Sequence, residues 1–184
     1  MILPIYAYGD SVLKKKASPI EKDHPGLKEL IANMYETMYA SHGVGLAAPQ
    51  IGLSLRLFVT DGSPFEEDEV KDFKQVFINP QIVEETGDPW KFNEGCLSIP
   101  HVREDVSRKE TVLIEYYDED WNFRRELFSG LAARIIQHEY DHIEGVLFTD
   151  RISPLRRKLL NKRLSDISSG NVKVDYKMRF PSQR

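Results

Sequence analysis

Two histidines four residues apart, with a glutamate directly after the first, occupy Gln137-His138-Glu139-Tyr140-Asp141-His142. On a helix, residues i and i+4 stack on one face, so this spacing sets both imidazoles side by side. Two rings so placed can hold one transition metal, and a carboxylate beside them can handle the proton of a water activated there. The competing reading is a surface helix with two histidines facing water. The preceding residues favour a packed helix. Ser129 is placed to cap its start, and Leu131 and Ile135 lie on the apolar stripe that runs on to His138 and His142.

A catalytic centre of this kind takes three protein ligands and keeps a fourth position open. In one group of zinc peptidases the third is the last His of His-Glu-x-x-His-x-x-Gly-x-x-His. Here Gly145 is present, but Phe148 stands at the final position and a phenyl ring cannot ligate. His24, His42 and His101 show no metal spacing. The single thiol is Cys96, in Glu94-Gly95-Cys96-Leu97-Ser98. A lone cysteine is commonly an inert core residue, but glycine and serine flanks after a strand-like run suit an exposed ligand better. An acidic third ligand is the alternative: Glu144 is too near on the helix, and Asp150 and Asp166 lack supporting context. Earlier in the chain, Gly43-Val44-Gly45-Leu46-Ala47-Ala48-Pro49-Gln50 reads as a tight turn feeding a strand, where small residues admit another backbone. Its one notable polar group is Gln50, whose carboxamide N–H could stabilise an oxyanion.

The elements that must position these residues follow from hydrophobic periodicity. Residues 1–25, with Pro4, Gly9, Pro19 and Pro25, read as an extended arm with turns. Residues 26–41 read as a helix on Leu27, Leu30, Ile31, Met34 and Met38, ended by Gly43 as a left-handed cap. Strands are expected at 55–60, 76–84 and 91–99, and a hairpin over 111–117 and 121–128; the acidic stretch 61–74 reads as a solvated loop. The histidine helix spans 129–142, and Gly145–Phe148 is a short strand or extended exit. Ser153-Pro154 opens a last helix, 153–168, with Leu155, Leu159, Leu164 and Ile167 as its apolar seam. Residues 170–184 read as a polar tail with an alternating piece, Val172 to Met178. Strands before and around one buried helix make the class α+β.

A chain of 184 residues suffices for one domain with a substantial core, and all 184 are expected in a single catalytic domain. The net charge of −4 argues against broad nucleic-acid binding, and no specific DNA binding is expected. One cysteine excludes an internal disulfide. No run approaches the length of a membrane span and no basic start precedes an apolar stretch, so the expected location is cytoplasmic, without membrane association.

Taken together, the blocks 43–50, 94–98 and 137–142, in this order and at this spacing, closely resemble the peptide deformylases. With Gly9-Asp10-x-x-Leu13 the likeness runs from the N-terminus to about residue 165; the loop 61–74 and the segment after 168 look like local variations. The resemblance implies antiparallel sheets packed around a central metal-binding helix, with a C-terminal helix. It assigns Cys96, His138 and His142 as ligands of one Fe(2+) per chain, with Zn, Ni or Co able to substitute. An iron-bound thiolate would be sensitive to oxygen. The implied reaction removes the formyl group from N-formylmethionyl nascent peptides and releases formate: metal-activated water attacks the formyl carbon, and Glu139 acts as general base and then acid. The metal, the Gln50 side chain and the backbone N–H of Leu97 would hold the oxyanion. Val44, Leu131, Ile135 and the ring of His138 would receive the methionine side chain, and the Gly45 backbone would pair with the peptide like a strand. Glu94 and Arg108 would support the Cys96 loop, unless they form an ordinary surface ion pair. The basic residues Arg156, Arg157, Lys158, Lys162 and Arg163 would allow the last helix to dock on the ribosome. Two rival readings are a zinc endopeptidase with an acidic third ligand and a non-catalytic peptide- or ribosome-binding module with a structural metal.

Overall fold

The computed structural model describes residues 1–181; residues 182–184, the end of the expected polar tail, lie outside the described residues. Its centre is a five-stranded antiparallel sheet in the order β2-β3-β4-β5-β6, made of β2 (Gly45–Ala47), β3 (Leu57–Asp61), β4 (Lys74–Cys96), β5 (Ile99–Tyr117) and β6 (Phe123–Ser129). Three helices complete it: α1 (Leu27–Ala40), α2 (Gly130–Ile143) and α3 (Pro154–Ser168). A second pairing, between β1 (Ile5–Tyr6) and β7 (Met178–Arg179), is parallel and ties the two ends of the chain together. The α+β class read from the sequence is the class observed. Among the described residues no helix is long and apolar enough to cross a membrane.

The strand expected at 76–84 and the expected 91–99 strand as far as Cys96 are one strand, β4; the latter's last residues form the turn and the start of β5. Pro80 and the Gly87-Asp88-Pro89 turn signal look like breakers, but each sits at a shift in the β4–β5 register. Bulges absorb residues that cannot continue the ladder and bend the strand without ending it. From Val102 onward the alternation in β5 is broken only at the exposed Glu110: Val102, Glu104, Val106, Arg108, Val112, Ile114 and Tyr116 are buried. Cys96 pairs with Ile99, so Leu97 and Ser98 form a two-residue turn at the end of the β4–β5 hairpin.

α2 lies against this sheet, with Ala133, Ile136 and Ile143 packed among Phe58, Phe77, Val112 and Ile114. Its start departs from expectation. The Ser129 hydroxyl makes no cap; it bonds the Thr111 hydroxyl at 3.0 Å across the β5–β6 pair. The Leu131 N–H instead donates to the Glu69 carboxylate at 3.4 Å, which brings negative charge to the positive end of the helix dipole. The connection 61–74 is therefore only partly solvated: Asp61 and Gly62 are buried, and so is Val70.

Two other expectations are corrected. The left-handed residue after α1 is His42 (φ 62°), not Gly43. The Gly43 N–H bonds the Met38 carbonyl at 2.9 Å and the His42 N–H bonds that of Tyr39 at 3.1 Å, the paired bonds of a Schellman ending with His42 at C′. In α3 the buried seam is Leu160, Leu164 and Ile167, while Leu155 and Leu159 are 67% and 64% exposed. Ser153 does cap α3, accepting the Arg156 N–H at 3.2 Å. The exit from α2 takes the extended alternative: Leu147 is extended, and Phe148–Asp150 is a 3-10 turn that buries Phe148.

Candidate active site

α2 and the β4–β5 turn converge. The ligand atoms of Cys96, His138 and His142 all lie within 4.8 Å of one another, and the Cys96 sulfur is 3.4 Å from His142 Nε2. The two imidazole centroids are 5.2 Å apart, as the i, i+4 spacing requires. His138 Nδ1 is 2.9 Å from Glu94 Oε1, so it donates to that carboxylate and leaves Nε2 for the cluster. His142 is buried and held neutral: burial, then the nearby His138 and Arg108 charges, drive its pKa well below the ordinary value. Burial opposes a charge on His138 too, but hydrogen bonds with Cys96 and Glu94 and the charge of Glu139 outweigh it and hold the pKa high. A thiol, a neutral imidazole and a second imidazole that attracts positive charge form a donor set suited to a divalent transition metal.

The supporting shell is ionic and buried. Arg108 donates to both Glu94 oxygens, at 2.8 and 3.0 Å, and to Asp141 at 2.8 Å. Arg134 donates to Glu94 at 2.9 Å, and Arg151 grips Asp141 from outside at 2.5 and 2.7 Å. Burial alone would raise the Glu94 pKa; the bonds from His138 and Arg108 reverse this and keep it well below the usual carboxylate range. Glu94 and Arg108 are thus no surface pair.

Glu139 is the exception among these carboxylates. Burial raises its pKa to about 7, against the pull of the His138 charge. Its Oε2 is buried with no hydrogen-bond partner among the described residues. A Cβ built on Gly45 would come within 2.5 Å of Glu139 Oε1, so glycine at this strand position makes room for the carboxylate. Gln50 is buried in the 3-10 turn after β2. Its Oε1 accepts the Ala47 N–H at 3.0 Å, which directs Nε2 to Ser98 Oγ at 3.2 Å and the Cys96 sulfur at 3.5 Å.

These groups open into a cavity of about 430 Å³ whose walls include Val44, Gly45, Gln50, Leu97, Ile135, His138 and Glu139. The polypeptide deformylase family's sequence model matches residues 2–158. This chain belongs to that family. The enzyme is a metal-dependent hydrolase that removes the N-formyl group from newly synthesised polypeptides. It is 58% identical to the peptide deformylase of Christiangramia forsetii over 100% of this chain and 98% of that relative, and 57% identical to that of Flavobacterium johnsoniae over the same shares. The solved peptide deformylase of Legionella pneumophila superposes with a TM-score of 0.81 at 38% identity, covering 93% of this chain and 98% of that one. A structure of the Synechococcus elongatus peptide deformylase in complex with actinonin gives 0.80 at 39% identity, covering 96% and 92%.

Leu131, one turn before Ile135 and expected in the methionine pocket, lies outside the cavity's lining. Of the acidic alternatives for the third ligand, Glu144 and Asp150 are engaged elsewhere, with Arg56 at 2.8 Å and Lys14 at 2.7 Å. Several site residues were not expected. Phe65, from the loop 61–74, and Phe92 of β4 meet edge-to-face at 6.0 Å and form one wall of the enzyme's cavity; Tyr176, from beyond α3, joins another. No sequence signal placed Phe65 or Tyr176. The burial of Arg108 was readable from its phase with Val102 and Val106 in β5.

Proposed function

We propose that Cys96, His138 and His142 hold one Fe(2+) ion and that Glu139, Gln50 and the backbone N–H of Leu97 carry out deformylation in a single catalytic domain spanning residues 1–184. The observation that carries this reading is the convergence of one thiol and two imidazoles within 4.8 Å at the wall of an open cavity. When bound, a divalent ion supplies Lewis acidity toward water and a carbonyl oxygen. The same ligand set suits Zn, Ni or Co, and the choice of iron rests on the family likeness.

The chain's own groups account for the remaining chemistry. With a pKa of about 7, Glu139 is substantially ionised at neutral pH and can take a proton from the attacking water. As the C–O bond forms and the C–N bond breaks, it returns that proton to the leaving amine, freeing formate and the methionine N-terminus. Gln50 Nε2 and the Leu97 N–H would donate to the tetrahedral oxyanion; loss of one such donor costs about 2.7–4 kcal/mol of barrier. Val44, Ile135 and the His138 ring would receive the methionine side chain. β2 lies at the edge of the sheet, so the Gly45 backbone can accept an extended peptide as an added strand. Such pairing reads little sequence, which suits an enzyme acting on many nascent chains.

Glu139→Gln is expected to keep its metal and lose formate release from formyl-Met-Ala-Ser by at least about a hundredfold. A variant that kept wild-type turnover would remove Glu139 from the mechanism. We infer a cytoplasmic enzyme that meets its nascent-chain substrate beside the ribosome, for which the basic residues of α3 would offer a docking face. Arg156 and Arg157 already bond Glu104 and Asp150, so their charge reversal tests this face: unchanged co-sedimentation with ribosomes would refute it.

A further inference from the structure

The segment after α3 is held at several points. Gly170 turns the chain (φ 78°), His101 Nε2 donates to the Lys173 carbonyl at 2.5 Å, and β7 pairs with β1 through Ile5 N–H to Lys177 O and Ala7 N–H to Arg179 O, both 2.9 Å. Phe180 is buried against α3's core, and Arg179 stacks on Tyr6 and donates to its hydroxyl at 3.0 Å. Between these anchors Tyr176 crosses to the cavity. Its ring packs beside α1's core and lines the cavity wall, and its hydroxyl donates to the Leu97 carbonyl at 2.7 Å.

Leu97 is the first residue of the two-residue turn that follows Cys96. Turn carbonyls point away from the hairpin ladder, so the strands do not fix them. Two bonds fix them here: Tyr176 holds the Leu97 carbonyl, and the Tyr8 N–H holds that of Ser98 at 2.9 Å. Rotation of this turn would move the Cys96 sulfur and the Leu97 N–H together. The strap lies beyond residue 158, where the match to the family's sequence model ends.

We infer that residues 171–181 form a strap whose Tyr176 is a positioning residue for deformylation, acting through the Leu97 carbonyl to set the Cys96–Leu97 turn. This rests on the reading of the Leu97 N–H as an oxyanion donor. Tyr176→Phe removes one oxygen and keeps the ring. With formyl-Met-Ala-Ser, kcat of the metal-loaded enzyme should fall about three- to tenfold, the scale of one lost hydrogen bond, with KM and melting temperature nearly unchanged. The visible spectrum of cobalt-loaded protein, which reports the thiolate's geometry, should shift. Arg179→Ala loosens the strap's far end without touching Leu97 and should leave kcat and that spectrum at wild-type values. Wild-type kcat in Tyr176→Phe, or equal losses in both variants, would overturn the inference. Gln50→Ala run in parallel separates the two levels. If it is impaired beside an unaffected Tyr176→Phe, only the strap's role fails; if it keeps wild-type kcat, the oxyanion reading fails.

Discussion

α2 and α3 are almost equal in length, 14 and 15 residues, and both carry several charged side chains, yet the fold treats them oppositely. α2 is buried, and its charged residues Arg134 and Asp141 are placed in an inner network with Glu94 and Arg108. α3 turns one narrow leucine stripe inward and leaves most of its charge at the surface, with Arg156 and Arg157 reaching back to Glu104 and Asp150. Charge along a helix therefore says little about exposure. β5 supplies a partner to both, Arg108 to Asp141 of α2 and Glu104 to Arg156 of α3, so what differs is that α2's own charged residues are covered by the sheet while Arg156 stays exposed.

The difference can be broken at its strongest point first. Arg108→Met should destabilise the fold by about 3–5 kcal/mol, because it removes the buried cation that Glu94 and Asp141 share, leaving Glu94 to Arg134 and His138 and Asp141 to Arg151 alone. Urea unfolding measures this, and a loss below about 1 kcal/mol would show that the network is not ionic in the way described. Next, Leu160→Ala should cost about 2–5 kcal/mol as a buried truncation. Its neighbour Leu159→Ala should stay within about 0.5 kcal/mol, being exposed. Equal effects would mean that α3 presents a different face.

The smallest effect is in pH. Burial alone would raise the Asp150 pKa, but bonds from Lys14, the Leu147 N–H and Arg157 lower it below the usual value. A depressed folded-state pKa contributes stability that is present above the unfolded value, about 3.9, and is lost as pH falls through the folded one. Melting temperature should therefore drop between about pH 5 and pH 3, and less steeply in Asp150→Asn. An identical slope in the variant would remove Asp150 as a source of acid sensitivity.

The site's two histidine donors were legible because their signal is local. An i, i+4 histidine pair can face only one way on a helix; Cys96 was assigned by the likeness of three motifs taken together, its own flanks leaving the third ligand open. The shell behind them was less legible. Arg134 and Asp141 look like solvent-facing helix residues until β5 is seen to carry Arg108 in phase with Val102 and Val106. The α3 seam was misplaced because two leucine stripes, Leu155 with Leu159 and Leu160 with Leu164, both fit helical spacing. Phe65 and Tyr176 reach the cavity only through tertiary packing, which no periodicity encodes.

The most direct measurement is metal content, determined on anaerobically purified wild-type protein and Cys96→Ser together with formate release from formyl-Met-Ala-Ser. One iron per wild-type chain is expected, with loss of both metal and formate release in the variant. Full metal and full activity without the thiol would contradict Cys96 as a ligand.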